Sequence, residues 1–186
     1  MIAMANIVKI YADSDSANKV DMICKHYPNF IGIVDGYTEG LRYMIENEKK
    51  YNSRASYGDL GVRVQSLGHY TDLTGDSAVD NVMTRDALIS CDFSGGILEG
   101  TDRPEKYQKD AEILKWMRRD YDLFTQQLNY LPPEEHRIFV GYITKEKELA
   151  EIAEEFGVQY ESIKQRLWRT RKKIKVQMIA YLDGTF

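Results

Sequence analysis

Between Ser162 and Lys175 the chain carries seven lysines and arginines and no carboxylate. In the same stretch Ile163, Leu167 and Ile174 recur at helical spacing. A helix held to a core on one side and cationic elsewhere is suited to lie against phosphates. Gln159, Tyr160, Glu161, Lys164, Gln165 and Trp168 fall off the packing face. Lys164 can donate to guanine O6 or N7, Gln165 can bind adenine through two hydrogen bonds, and Glu161 can accept from cytosine. Ser162, Arg166, Arg169, Arg171 and Lys172 suit phosphates, which fix register without reading sequence. Lys173 and Lys175 have a plainer reading, because cations near a helix C-terminus stabilise its dipole. Trp168 keeps two readings: a groove contact, or a core or dimer contact.

Other chemistry is poorly represented. His26, His69 and His136 are far apart, and none pairs with a cysteine or carboxylate at metal-ligand spacing. The Gly-rich run Phe93 to Gly100 lacks the Gly-Lys-Ser/Thr ending of a phosphate loop. Asp72, Asp76 and Asp80 span a loop and a helix start, where Asp is ordinary capping chemistry. The sequence therefore predicts no catalytic residues, no metal site and no cofactor.

Composition narrows the class further. The 186 residues suffice for one domain or two small ones, and 43% hydrophobic residues allow a real core. No apolar run reaches the ~18 residues that mark a membrane-spanning helix, and the first residues lack the pattern of a secretory signal. Cys24 and Cys91 form no metal-binding spacing and read as reduced thiols of a cytoplasmic protein. The net charge is -4. Taking those seven cations from 25 leaves 18 against 29 carboxylates, a net of -11 for the rest of the chain. Local potential governs docking, so an acidic remainder opposes only loose, sequence-blind binding.

The elements that position the basic helix read as all-α. Residues 1–27 predict one or two short helices, with Asp13 to Ser16 as a cap and Val20, Ile23, Cys24 and Tyr27 on one face. After Pro28, a stripe of Phe30, Val34, Tyr37, Leu41, Met44 and Ile45 predicts a helix. Gly32, Gly36 and Gly40 weaken that helix or mark a close backbone approach. Residues 52–75 read as a loop with a short strand at 62–65. A helix from Asp76 or Ser77 should then carry Val79, Val82, Met83 and Leu88 on one side, ending before Gly95-Gly96. Next, a long helix starts near Asp102 and runs to about Leu131. Its Leu114, Met117, Tyr121, Phe124, Leu128 and Leu131 form a heptad seam. That seam is read first as an intramolecular core, with a homodimeric coiled coil through 107–131 as the alternative.

Pro132-Pro133 ends the long helix, and Glu134-Glu135 suit the start of the next. That helix offers Phe139, Tyr142 and Ile143 to the core. After a connection at Thr144-Lys145, Leu149, Ile152, Ala153 and Phe156 face inward. Gly157 supplies a positive φ, Val158 plugs the angle, and Ile163 and Leu167 pack the second helix back. The segment Leu128 to Ile174 resembles region four of the sigma-70 family, particularly its extracytoplasmic-function branch. The resemblance is carried by Leu131-Pro132, Glu135-His136-Arg137, Leu149-Ala150-Glu151-Ile152-Ala153, Gly157-Val158, Ser162-Ile163-Lys164, Arg166-Leu167, Arg169 and Arg171. Through Tyr27-Pro28-Asn29-Phe30 and the order of elements, the whole chain also resembles the ArpU and RinA type regulators of phages and mobile elements. No stretch resembles sigma region two; Trp116 to Tyr121 lies in the heptad helix instead.

These resemblances imply a helical N-terminal region (1–100), a connecting helix (101–130) and a DNA-binding helix-turn-helix domain (131–182). They imply a transcriptional regulator acting on double-stranded DNA, with RNA polymerase as a further partner and no membrane. Two other readings stand beside it: a small-terminase-like component of DNA packaging, and a module that binds RNA polymerase alone. A large ring would mark the first, and polymerase binding without DNA affinity the second.

Overall fold

A computed structural model describes residues 7–57 and 73–185. The strand expected at 62–65 lies outside these residues, as do Asp72 and the side chain of Asp76. The described residues are all-α, with no strand among them. In chain order they form α1 (Ile7–Asp13), α2 (Ser16–His26), a 3-10 turn (Tyr27–Asn29), α3 (Phe30–Tyr57) and α4 (Leu73–Ser90). There follow α5 (Pro104–Asn129), α6 (Pro133–Ile143), α7 (Leu149–Glu155) and α8 (Tyr160–Asp183).

The chain divides into two compact units. One holds the described residues up to Val34 together with those from Trp116 on; the other spans Asp35–Lys115.

In the first unit, the Asp15 side chain caps α2 by accepting from the Asn18 backbone N–H at 2.7 Å, satisfying a donor with no intrahelical partner. Lys25 and His26 occupy the last turn of α2, where cations suit the dipole. Beyond the 3-10 turn, Phe30 is fully buried in an aromatic cluster. It meets Tyr11 edge-on at 5.8 Å and stacks on Tyr121 at 5.7 Å, while Tyr27 stacks on Tyr121 at 5.1 Å. Such pairs contribute about 0.5–1.5 kcal/mol beyond simple burial. The Tyr11 hydroxyl donates to the Asp120 carboxylate at 2.9 Å, and Asp120 is only 2% exposed. Burial, then the Asp120 charge, pushes the Tyr11 phenol well above its ordinary range. In the same unit α2, α6 and α7 each pack on α8.

In the second unit, Arg42 of α3 binds Glu39 at 2.9 Å on its own helix and Asn81 of α4 at 2.9 Å. Asn52 donates to the Gly100 carbonyl and to Asp102, each at 2.9 Å. The Tyr107 hydroxyl donates to Glu48 at 2.5 Å.

Two expectations are corrected and a third is met. First, α3 is a continuous helix through Gly32, Gly36 and Gly40, which are all exposed. A Cβ added at any of them meets no described atom within 4 Å. The glycines therefore admit no close approach; burial of Phe30, Ile33, Val34, Leu41 and Ile45 offsets their poor propensity. Second, α4 buries Thr84, Ala87 and Leu88, leaving Val79, Val82 and Met83 exposed. Third, the α5 seam is engaged within the chain. Leu114, Met117, Phe124 and Leu128 are buried, in keeping with the intramolecular core that the spacing favours, and a homodimer through 107–131 gains no support.

Candidate nucleic-acid interface

The α6–α7–α8 segment is set up by local rules at each junction. Pro132 stands at the N-cap of α6 in an extended conformation and Pro133 takes the first helical position. There the missing N–H leaves no bond unmade and the fixed φ suits the helix. Ile138, Phe139 and Ile143 are buried, whereas Tyr142, expected inward, is exposed. Ile138, one position before Phe139, takes the inward place instead. The connection turns at Lys145, a non-glycine residue at φ 60°. The Glu148 backbone N–H then donates to the Glu151 carboxylate at 2.8 Å, half of a capping box at the start of α7. Glu155 on α7 receives Arg137 of α6 and Lys147 of the connection, both at 2.6 Å. Hydrogen bonds from Lys147 and then Arg137, with their charges, outweigh desolvation and hold the Glu155 carboxyl below its usual range.

Gly157 ends α7 at φ 62°. Its N–H donates to the Glu154 carbonyl at 3.1 Å and the Val158 N–H to the Ala153 carbonyl at 3.0 Å. That pair of bonds is a Schellman ending, which requires a left-handed residue at this position. Gln159 then stands at the N-cap position of α8 in an extended conformation. The chain has formed a helix-turn-helix with α8 as the second helix.

On α8, Ile163, Leu167, Thr170, Ile174 and Met178 are buried. None of the residues expected to meet DNA belongs to that face. Gln159, Tyr160, Glu161, Ser162, Lys164, Gln165, Trp168, Arg169, Arg171 and Lys172 are exposed, and Arg166 is half-buried. Glu161, Gln165, Trp168 and Lys172 follow one another at spacings of four, three and four, opposite the buried stripe. Trp168 is 62% exposed, which removes the core reading. The Lys172 ammonium lies 5.2 Å from the Trp168 ring centroid, within cation–π range.

Two cationic flanks border this outward stripe. Arg166, Arg169, Thr170 and Lys173 of α8 line a shallow cleft with Glu134 and Glu135 at the start of α6. Arg166 pairs there with Glu134. Arg171 and Lys175 reach the Asp21 carboxylate of α2 at 2.9 and 2.6 Å. Desolvation raises the Asp21 carboxyl, but hydrogen bonds from Lys175 and Arg171, with their charges, outweigh it and leave the group below its ordinary range. Lys164 lies 3.6 Å from Glu161.

Asp21 and Glu134 therefore shape the site although their sequence positions do not mark them as partners. Asp21 lies 150 residues from Arg171, and no local spacing signals such a pair. Glu134 is legible in the sequence only as a charge suited to a helix start.

Comparison with known families places this geometry in context. Residues 121–174 match the family described as Sigma-70, region 4. The match runs from within α5 to Ile174 of α8 and covers under a third of the chain; α1, α2, α3 and α4 lie outside it. No curated protein and no solved structure matches the chain. No helix of the described residues is long and apolar enough to cross a membrane.

Proposed function

We propose that this chain is a sequence-specific DNA-binding transcriptional regulator that reads the major groove with the outer face of α8. The observation that carries this reading is the division of α8. One stripe is buried, the opposite stripe presents Glu161, Gln165, Trp168 and Lys172, and cations border it. The Sigma-70 region 4 match over 121–174 supports it independently. In such modules the N-terminal part of the second helix enters the groove. Lys164, Gln165 and Glu161 are then the base readers, with Gln159, Tyr160 and Trp168 at the groove edge. Ser162, Arg166, Arg169, Arg171 and Lys172 hold phosphates. The DNA-binding role belongs to residues 131–182, with residues 101–130 as the connecting helix. The protein acts by binding in the cytoplasm, without catalysis or cofactor. The order of elements supports kinship with phage and mobile-element regulators of the ArpU and RinA type. The same region-4 match supports RNA polymerase as a further partner.

The experiment is a double change, Lys164→Ala with Gln165→Ala, measured on a selected duplex and on random duplex. Each good base contact contributes about 1–3 kcal/mol of discrimination, or roughly 5- to 150-fold. The double change should cut specific affinity by at least that range while leaving nonspecific affinity within a few-fold. Equal losses on both duplexes contradict the assigned reading roles.

A further inference from the structure

The region-4 match leaves out α2, yet α2 packs along α8. The Ser16 hydroxyl donates to Asp183 near the end of α8, while Asp21 reaches back to Lys175 and Arg171. The two helices therefore run antiparallel, and the C-terminal end of α2 lies toward the half of α8 that carries the base-reading residues. Lys25 follows Asp21 by four residues, so it stands on the same side of α2 one turn further along. Lys25 is exposed. Lys145, in the turn after α6, is exposed as well and adopts a left-handed φ of 60°. A left-handed backbone disfavours any residue with a Cβ, and glycine is its usual occupant.

The two lysines belong to one neighbourhood. Burial, then the charges of Lys25 and Lys145, hold the His26 imidazole below its ordinary range. Both α2 and α6 pack on α8, so the end of α2 and the turn after α6 are carried by the same helix. Asp21, the carboxylate on this flank of α2, is already engaged by Arg171 and Lys175. Lys25 and Lys145 are thus exposed cations at the end of α2 and in the turn after α6, with the exposed Glu146 following Lys145. Exposed cations beside a groove-entering helix suit backbone phosphates.

We propose that the end of α2 and the turn after α6 form a second DNA-backbone contact, in which Lys25 and Lys145 hold phosphates flanking the groove that α8 enters. The proposal rests on the reading of α8 as a DNA-binding helix. It makes the N-terminal helix part of the DNA footprint.

The test uses the full chain and a duplex enriched from random sequence, with affinity measured across a salt series. The magnitude of the log-affinity against log-salt slope should fall by about 0.9 for each phosphate that is no longer neutralised. Lys25→Ala and Lys145→Ala should each show that fall with the ratio of specific to nonspecific affinity unchanged. Arg169→Ala is the reference for a phosphate held by α8 itself. Lys145→Gly keeps the test free of folding artefacts, since it removes the charge and gives the left-handed position its favoured residue. Its Tm should be no lower than the parent's while its slope falls. If Arg169→Ala flattens the slope and the variants at 25 and 145 do not, the second contact is wrong and the DNA reading stands. If the parent shows no salt-dependent DNA binding, both are overturned.

Discussion

Asp21→Asn should move stability and DNA binding in opposite directions. The carboxylate sits between Arg171 at 2.9 Å and Lys175 at 2.6 Å, and its side chain is 36% exposed. Exposed ion pairs contribute about 0.2–1 kcal/mol each, so two partly screened pairs amount to roughly 0.5–1.5 kcal/mol. For a chain of this size each 1 kcal/mol shifts Tm by about 2–4 °C, which gives a fall of roughly 1–6 °C. The DNA effect has the other sign. A carboxylate that holds two cations competes with phosphates for both, and its loss also removes a negative charge beside a polyanion. Affinity should tighten, and the salt slope should steepen by up to about 0.9 for each released cation. Acid provides a third reading. The folded Asp21 carboxyl is held below its ordinary value, so its stabilisation is complete above the unfolded value of about 3.9. It disappears as pH falls through the lower folded value, and the gap between parent and Asp21→Asn should close there. Thermal melts between neutral and acid pH, with fluorescence titrations of labelled duplex, read all three effects. Weaker DNA binding by Asp21→Asn would refute the reasoning, because it would mean that the carboxylate aims Arg171 at a phosphate.

Two further predictions concern stability. Gly157→Ala places a Cβ at φ 62° where no described atom lies within 4 Å, so the penalty is backbone strain alone, about 1–2 kcal/mol. The same substitution at exposed Gly40, inside α3, should instead stabilise by about 0.5–1 kcal/mol; urea midpoints that move in the same direction for both exclude this account of the turn. Tyr11→Phe removes the hydroxyl that donates to buried Asp120, and should lose about 1.5–3 kcal/mol. A loss under ~0.5 kcal/mol in urea denaturation would show that Asp120 is satisfied without it.

The helix-turn-helix is legible in the sequence because each of its parts obeys a local rule. Pro132-Pro133, Gly157 and the stripe at Ile163, Leu167 and Ile174 are each determined within a few residues of chain, so spacing alone locates them. The α5 seam is legible as a buried face, but periodicity does not say what covers it; Met117, Phe124 and Leu128 are buried within the chain itself. Faces of short or weakly amphipathic helices are harder to read. Along α4 both faces carry apolar residues, and the smaller set of Thr84, Ala87 and Leu88 lies inward. Tyr142 turns outward for a related reason: an amphipathic tyrosine close to a helix end serves on either face. The ion pair of Asp21 with Arg171 and Lys175 leaves no trace in spacing, since only the packing of α2 on α8 brings the three together.

The central claim is that α8 reads DNA sequence, and selection from random duplex DNA with the full chain at physiological salt tests it most directly. The account predicts enrichment of a defined motif whose recovery fails when Lys164 and Gln165 are both changed to Ala. Only weak, salt-sensitive binding with no enriched sequence would contradict it.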